Sequence, residues 1–208
     1  MKSIWVDAET GGLIPKFTEM VELSGIIEVD GKEVERFELL MRPSSAEKMK
    51  PEALQVQGRT LEEVMAFPLS QREAYANFVK LLSRYVNKYE KTDKFVWFGK
   101  NPKFDMDHTR ELFKNHNDNY FGSWFHSAAV DVASIYITLV TLGLVDELPN
   151  YKLETIAKAC GLLKGEQTHK AIDDIILTRE VYYYLLKMLG FKPTVGKKKF
   201  KVGELPLG

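Results

Sequence analysis

The sequence predicts an α/β domain, a mixed sheet with helices packed on its faces. Three observations carry this: β-prone runs at the start of the chain, a long amphipathic helical pattern after them, and a return to alternating strand and helix towards the end.

Residues 2–6 are β-prone and break at 7–12, where Gly11-Gly12 permits a tight backbone path. A first strand delivering a loop is expected. The runs 21–29 and 34–41 flank Asp30-Gly31, the strongest short hairpin signal, so two antiparallel strands should follow. Residues 43–58 read as irregular. Thr60-Leu61-Glu62-Glu63 has the form of a capping box ahead of Val64. Residues 70–89 carry Tyr75, Phe78, Leu81, Leu82 and Tyr85 at helical spacing, which predicts a long helix covering the sheet.

Residues 94–98 read as a short buried strand. Asn101-Pro102 then offers an N-cap and a proline at the first helical position for a helix running to about Lys114. Residues 125–130 read as a strand, Asp131 as the cap of a helix to about Leu142, 152–160 as a helix ended by Gly161, and 171–189 as the last helix.

A chain of 208 residues suits one domain. Apolar residues at 45% and charged residues at 28% are near the average for soluble proteins, which excludes a disordered or collagen-like chain. The 29 basic and 29 acidic residues cancel, so there is no global cationic field and any nucleic-acid contact must be local. The balance still allows an acidic site that borrows positive charge from bound cations. Cys160 stands alone, which rules out an internal disulfide, and with four histidines it does not make a zinc site. A cytoplasmic setting is expected. No run approaches the roughly 18 apolar residues of a membrane span, so neither anchoring nor export is expected.

Asp7 and Glu9 lie two apart, so on an extended chain both side chains emerge on one side and can share a cation. Taken alone, such a pair is more often solvated surface. The larger pattern is Asp7-Ala8-Glu9-Thr10-Gly11-Gly12-Leu13, then Asn101-Pro102-Lys103-Phe104-Asp105, then His169-Lys170-Ala171-Ile172-Asp173-Asp174. In this order the three segments resemble the exonuclease motifs of the DEDDh (DnaQ-like) family. That family includes the proofreading subunit of bacterial replicative polymerase, ribonuclease T and oligoribonuclease. The resemblance spans residues 2–189.

The resemblance implies a ribonuclease H-like fold, with a mixed five-stranded sheet flanked by α-helices. Residues 1–190 would form the exonuclease domain and 191–208 a short basic tail around Lys197-Lys198-Lys199. Asp7, Glu9, Asp105 and Asp174 would meet at one end of the sheet. Carboxylates about 4 Å apart repel by roughly 4 kcal/mol per pair at an effective dielectric of about 20, so such a cluster calls for divalent cations. All-oxygen ligation suits Mg²⁺ or Mn²⁺ rather than zinc.

By the same resemblance, two Mg²⁺ ions are expected, with Mn²⁺ as a substitute. Asp7, Glu9 and Asp174 would hold the first, Asp7 would bridge, and Asp105 would act on the second. His169, five residues before Asp174, matches the general base. Asp173 is the rival ligand, but the family register selects Asp174 and leaves Asp173 on a solvated helix face. Thr10, Gly11, Leu13 and Phe104 match positions that contact the terminal nucleotide, with turn geometry and core packing as the competing readings. His108 shares Asp105's side of its helix while Asp107 points away, which makes His108 a neighbour rather than a ligand.

Three positions depart from the family pattern. Gly11 stands where a second threonine is frequent, Pro102 where a small residue is common, and Gln57-Gly58 where a histidine-glycine pair often sits. They bear on how the terminal base and sugar are gripped. The expected activity is 3′–5′ exonucleolytic release of nucleoside 5′-monophosphates from single-stranded 3′ ends, with DNA favoured over RNA. Proofreading or repair beside a polymerase, or work as a homodimer, are the settings the resemblance suggests. An RNA-directed exonuclease and a catalytically silent binding module are the alternatives.

Overall fold

The computed structural model describes residues 1–165 and 170–190. In chain order the elements are β1 (Lys2–Thr10), β2 (Met20–Val29), β3 (Lys32–Arg42), a 3₁₀ turn (Ala46–Lys48), α1 (Pro51–Gln57), α2 (Leu61–Met65), β4 (Leu69–Ser70) and α3 (Gln71–Leu82). There follow β5 (Phe95–Gly99), α4 (Pro102–Asn115), α5 (Phe121–Trp124), β6 (Phe125–Asp131), α6 (Val132–Thr141), α7 (Leu153–Ala159) and α8 (Ala171–Met188).

The strands form one mixed sheet in the order β4-β3-β2-β1-β5-β6. β1 is antiparallel to β2 and parallel to β5, and so lies where the two pairing modes meet. The five expected strands are all present. The sixth, β4, is a two-residue parallel partner of β3 at the sheet edge, too short to leave a periodicity in the sequence.

Alternation along β1 sorts the molecule into two layers. Ile4, Val6 and Ala8 face a core built with Phe78 and Leu82 of α3 and Phe113 of α4. Trp5 faces the other way, towards Ile26, Phe98 and Ile175 of α8. Tyr182 and Tyr183 close over Trp5 with ring centroids 5.2 and 6.2 Å away, as packing residues, while Tyr184 is exposed. A further core of Tyr136, Leu139, Ile156, Val181 and Leu185 ties α6 and α7 to α8.

The hairpin forms as expected, with Asp30 and Gly31 at φ 52° and 76°, the left-handed pair that a type I′ turn needs. Thr60 and Glu63 make the full capping box, and Asp131 caps α6 through the Ala133 amide at 3.0 Å. Four local expectations are corrected. β1 does not break at Asp7 but continues to Thr10, because its ladder with β2 does. The segment read as irregular contains α1, started by Pro51 at its first position. α3 ends at Leu82, and Tyr85 and Val86 reach the core from the turns beyond it. Asn101 precedes α4 in a left-handed conformation and makes no side-chain cap; its amide donates to Asp131 instead.

Candidate active site

Because β1 stays extended, Asp7 and Glu9 leave it on the same side as Trp5, the side covered by α8. Asp174 lies in the first turn of α8, partly buried, while Asp173 beside it is exposed, as the register predicted. Asp105 comes from the first turn of α4, which packs on the opposite face. Beyond the stretch where β5 pairs with β1, it accepts a hydrogen bond from the Ala8 amide at 3.0 Å. Its side chain is buried, and Thr109 Oγ1 donates back to its carbonyl. Three chain segments thus bring their acidic residues to one place.

The electrostatics record that convergence. The Asp7 carboxyl is held well above its ordinary range, first by burial and then by the charges of Asp105, Glu9, Asp174 and Glu22. Burial pushes Asp105 to about 8; the Ala8 amide and Lys100 pull against this, and Glu9 adds to it. Carboxylates pressed together in this way are the condition that a bound cation relieves. Among the described residues, no group of three or more His, Cys, Asp or Glu forms a ready-made metal cage. Carboxylate oxygens are the donors that hard cations such as Mg²⁺ take, one or two at a time with waters completing the shell.

Beside Glu9 opens a cleft of about 790 Å³, lined by Thr10, Leu13, Phe17, Val56, Gln57 and Phe104 among others. Leu13 is 83% exposed and Phe17 60%, so their apolar faces form its rim rather than core. Phe104 is backed by the His108 ring at 4.6 Å. His108 is buried, and burial pushes its pKa down to about 4, so it packs as a neutral ring. Thr10 lines the cleft, but its hydroxyl donates to the Gly12 carbonyl at 2.9 Å.

Gly11 belongs to the wall behind. A Cβ there would lie 2.1 Å from the Lys48 carbonyl oxygen, and Gly11 exchanges backbone hydrogen bonds with Glu19 and Lys50. The threonine frequent at this position in the family has no room here. His169 and the basic tail, including Lys197, Lys198 and Lys199, lie outside the described residues.

Two participants were not singled out from the sequence. Glu22 on β2 stands directly across from Glu9, and Arg59, after α1, pairs with it. The available signal was a glutamate inside an apolar β-run, Met20-Val21-Glu22-Leu23, at a position that alternation assigns to the same face as Asp7 and Glu9.

Residues 4–182 match the RNase T exonuclease family. The chain belongs to that family. The family is one of DnaQ-like DEDD exonucleases, generally metal-dependent.

Among solved structures it is similar to Escherichia coli Exonuclease I in complex with a dA16 oligonucleotide, with 23% identity, a TM-score of 0.71, and coverage of 89% of this chain and 40% of that one. It is similar also to a zinc-bound Exonuclease I complex with single-stranded DNA from E. coli, with 22% identity, a TM-score of 0.73, and coverage of 90% and 40%. A product-bound exonuclease I gives 21% identity, a TM-score of 0.69, and coverage of 89% and 43%. The chain therefore spans about 40% of the length of the Exonuclease I structures it matches. No curated protein matches it in sequence. No helix among the described residues is long and apolar enough to cross a membrane.

Proposed function

We propose that the chain removes nucleoside 5′-monophosphates from single-stranded 3′ ends, with DNA as its preferred strand. The observation that supports this most is the convergence of acidic residues from three separate segments: the Ala8 amide, between Asp7 and Glu9, donates to Asp105, and Asp7 is raised by burial and by the charges of Asp105, Glu9, Asp174 and Glu22. Asp7, Glu9, Asp105 and Asp174 would hold two Mg²⁺ ions, or Mn²⁺ in their place. When bound, such ions supply Lewis acidity to the phosphate oxygens.

The chain's own residues do the rest. His169 takes a proton from the attacking water, a contribution commonly worth about 10²–10⁴-fold. The water's oxygen joins the terminal phosphorus, the bond from phosphorus to the 3′ oxygen of the preceding nucleotide breaks, and that oxygen takes a proton from solvent while His169 returns its own to solvent. Leu13 and Phe104 offer apolar surface to the terminal base in the cleft, and Thr10 and Gly11 shape the backbone beside it. That the similar Exonuclease I structures were crystallised with DNA oligonucleotides supports the preference for DNA.

The test is degradation of 5′-labelled single-stranded DNA and RNA of one sequence with Mg²⁺ or Mn²⁺, beside Asp7→Ala and His169→Ala proteins. A one-nucleotide ladder, faster on DNA and lost in both variants, is expected. Faster loss of RNA would move the substrate to RNA, and no cleavage of either strand by folded, metal-supplied protein would leave a silent binding module.

A further inference from the structure

β1 departs from regular pairing at the point where it presents its carboxylates. The register with β2 shifts between Glu9 and Thr10, so that Glu9 faces Glu22 and Thr10 faces Met20. A bulge of this kind re-aims a side chain and takes backbone groups out of the ladder. The unmatched residue is Val21 of β2, and at the end of this ladder Gln57, the last residue of α1, donates from Nε2 to the Thr10 carbonyl at 2.7 Å. Gly58 then turns the chain at φ 63°, and Arg59 lays its guanidinium on the Glu22 carboxylate.

Glu22 is in an unusual position. Its side chain is 3% exposed, it accepts a hydrogen bond from Ser24 Oγ at 2.9 Å, and its charge is one of those raising Asp7. It directly opposes Glu9, and like charges in that relation are destabilising. Nothing in its residue type separates it from the four carboxylates assigned to the cations. What separates it is Arg59, packed over the Phe67 ring at 5.2 Å and committed to Glu22.

We propose that Arg59 is a positioning residue that keeps Glu22 out of the cation-binding set, so that the cluster at the end of β1 works with four carboxylates and not five. The proposal rests on the exonuclease reading above, and neither Arg59 nor Glu22 is assigned contact with the substrate. It implies an unusual pair of effects. Removing the guanidinium charge adds one uncompensated carboxylate beside Glu9, so divalent cations should bind more tightly while cleavage slows, because the ions are drawn off the positions set by Asp7, Asp105 and Asp174. Damage to the scaffold would weaken both.

The experiment is titration of the metal-free protein with Mn²⁺, read by loss of the free-ion electron paramagnetic resonance signal, beside cleavage rates at saturating Mn²⁺. The proteins are the wild type, Arg59→Gln, and the Glu22→Gln, Arg59→Gln double variant. Glutamine retains an N–H donor for residue 22, which favours folding, and circular dichroism checks it. Arg59→Gln should bind Mn²⁺ about tenfold more tightly, the scale of one nearby uncompensated charge, and cleave about tenfold more slowly; the double variant should return towards wild type in both. Unchanged or weaker Mn²⁺ binding by Arg59→Gln, or a double variant no closer to wild type, overturns the proposal. Should Arg59→Gln not fold, the double variant is compared with Glu22→Gln alone: the lone Arg59 charge should weaken Mn²⁺ binding relative to the double variant, and equal affinities would show that charge at this position does not reach the cations and would overturn the proposal. Tighter Mn²⁺ binding that is reversed by Glu22→Gln, in a wild type that degrades no strand, would sink the exonuclease reading and leave the role of Arg59 standing.

Discussion

The amide of Ala8 donates to Oδ1 of Asp105 at 3.0 Å, a bond between residues 97 positions apart. It forms because β5 pairs with β1 only from Lys2 to Trp5, which leaves the Ala8 amide beyond the end of β5 and open to a residue of α4. One strand thus holds two carboxylates through its side chains and orients a third through its backbone. The hydrogen bond favours the ionised form of Asp105, yet burial outweighs it and the group rests at about 8.

That value fixes the sign of a pH effect. Asp105 titrates at about 8 when folded against 3.8 as the ordinary value, so between these limits the folded chain retains a proton that the unfolded chain has released. Stability of the metal-free protein should therefore be full below the ordinary value and fall as pH rises towards 8. The raised Asp7 acts in the same direction. Asp93, Glu33, Glu63 and Glu73 are lowered, and their contribution is already complete above the ordinary carboxylate range. His108, lowered to about 4 by burial, adds stability only as pH rises to its ordinary 6.5, so above that value the carboxylates decide: melting in a chelator should give a higher Tm near pH 6.5 than near pH 8, and Mg²⁺ should recover more at the higher pH. A Tm that rises over this interval would contradict the burial of these groups.

Neighbouring aspartates on α8 should separate cleanly. Asp174→Asn removes a carboxylate from the shared field, and since such charge stabilisation is worth several kcal/mol, cleavage should drop by about 10³-fold. Asp173→Asn alters an exposed side chain and should leave the rate nearly unchanged. Single-turnover rates at saturating Mn²⁺ decide this, and the reverse order would shift the ligand register by one residue.

At the far end of the same face, Glu28 is buried and held by Arg179, Tyr183 and Ser3. Arg179→Ala leaves that carboxylate uncompensated, which typically costs about 3–5 kcal/mol. Urea unfolding should show the loss, while Mn²⁺ affinity of the folded protein stays at the wild-type value because Glu28 lies at the opposite end of β2 from Glu22. A small change in the urea midpoint would show that Glu28 does not depend on Arg179.

Gly11→Thr, which would make the loop look more like the family, should instead harm it. The new Cβ would meet the Lys48 carbonyl at 2.1 Å, and overpacking of this kind costs about 1–3 kcal/mol. A Tm equal to that of the wild type would mean that the segment before α1 yields easily.

Local chemistry made much of the fold legible. Asp30-Gly31, Thr60 with Glu63, and Asp131 act through neighbours in sequence, and each does what its residue type predicts. Where tertiary contacts decide, the sequence is a poorer guide. The acidic residues of β1 interrupt its apolar pattern, but the ladder with β2 holds the strand to Thr10. Tyr85 continues the apolar spacing of α3 past the helix end, because a turn can also point a ring at the core. The ordered motifs pointed to Asp7, Glu9, Asp105 and Asp174 as candidates, whereas Glu22 and Arg59 are 37 residues apart and meet because Leu54 of α1 packs against Val21 of β2.

The alternation of β1 also governs which changes of length this site could survive. Odd-numbered residues from Trp5 to Glu9 carry the acidic chemistry and its aromatic support; even-numbered residues from Ile4 to Ala8 carry the packing. The strand is two interleaved messages written on one backbone. Inserting a single residue near Val6 would exchange them, sending carboxylates into the layer beneath α3 and apolar side chains into the acidic cluster. Inserting two would keep both messages in phase. Among relatives of this chain, length changes before the acidic pair should therefore come in even numbers or fall outside the strand.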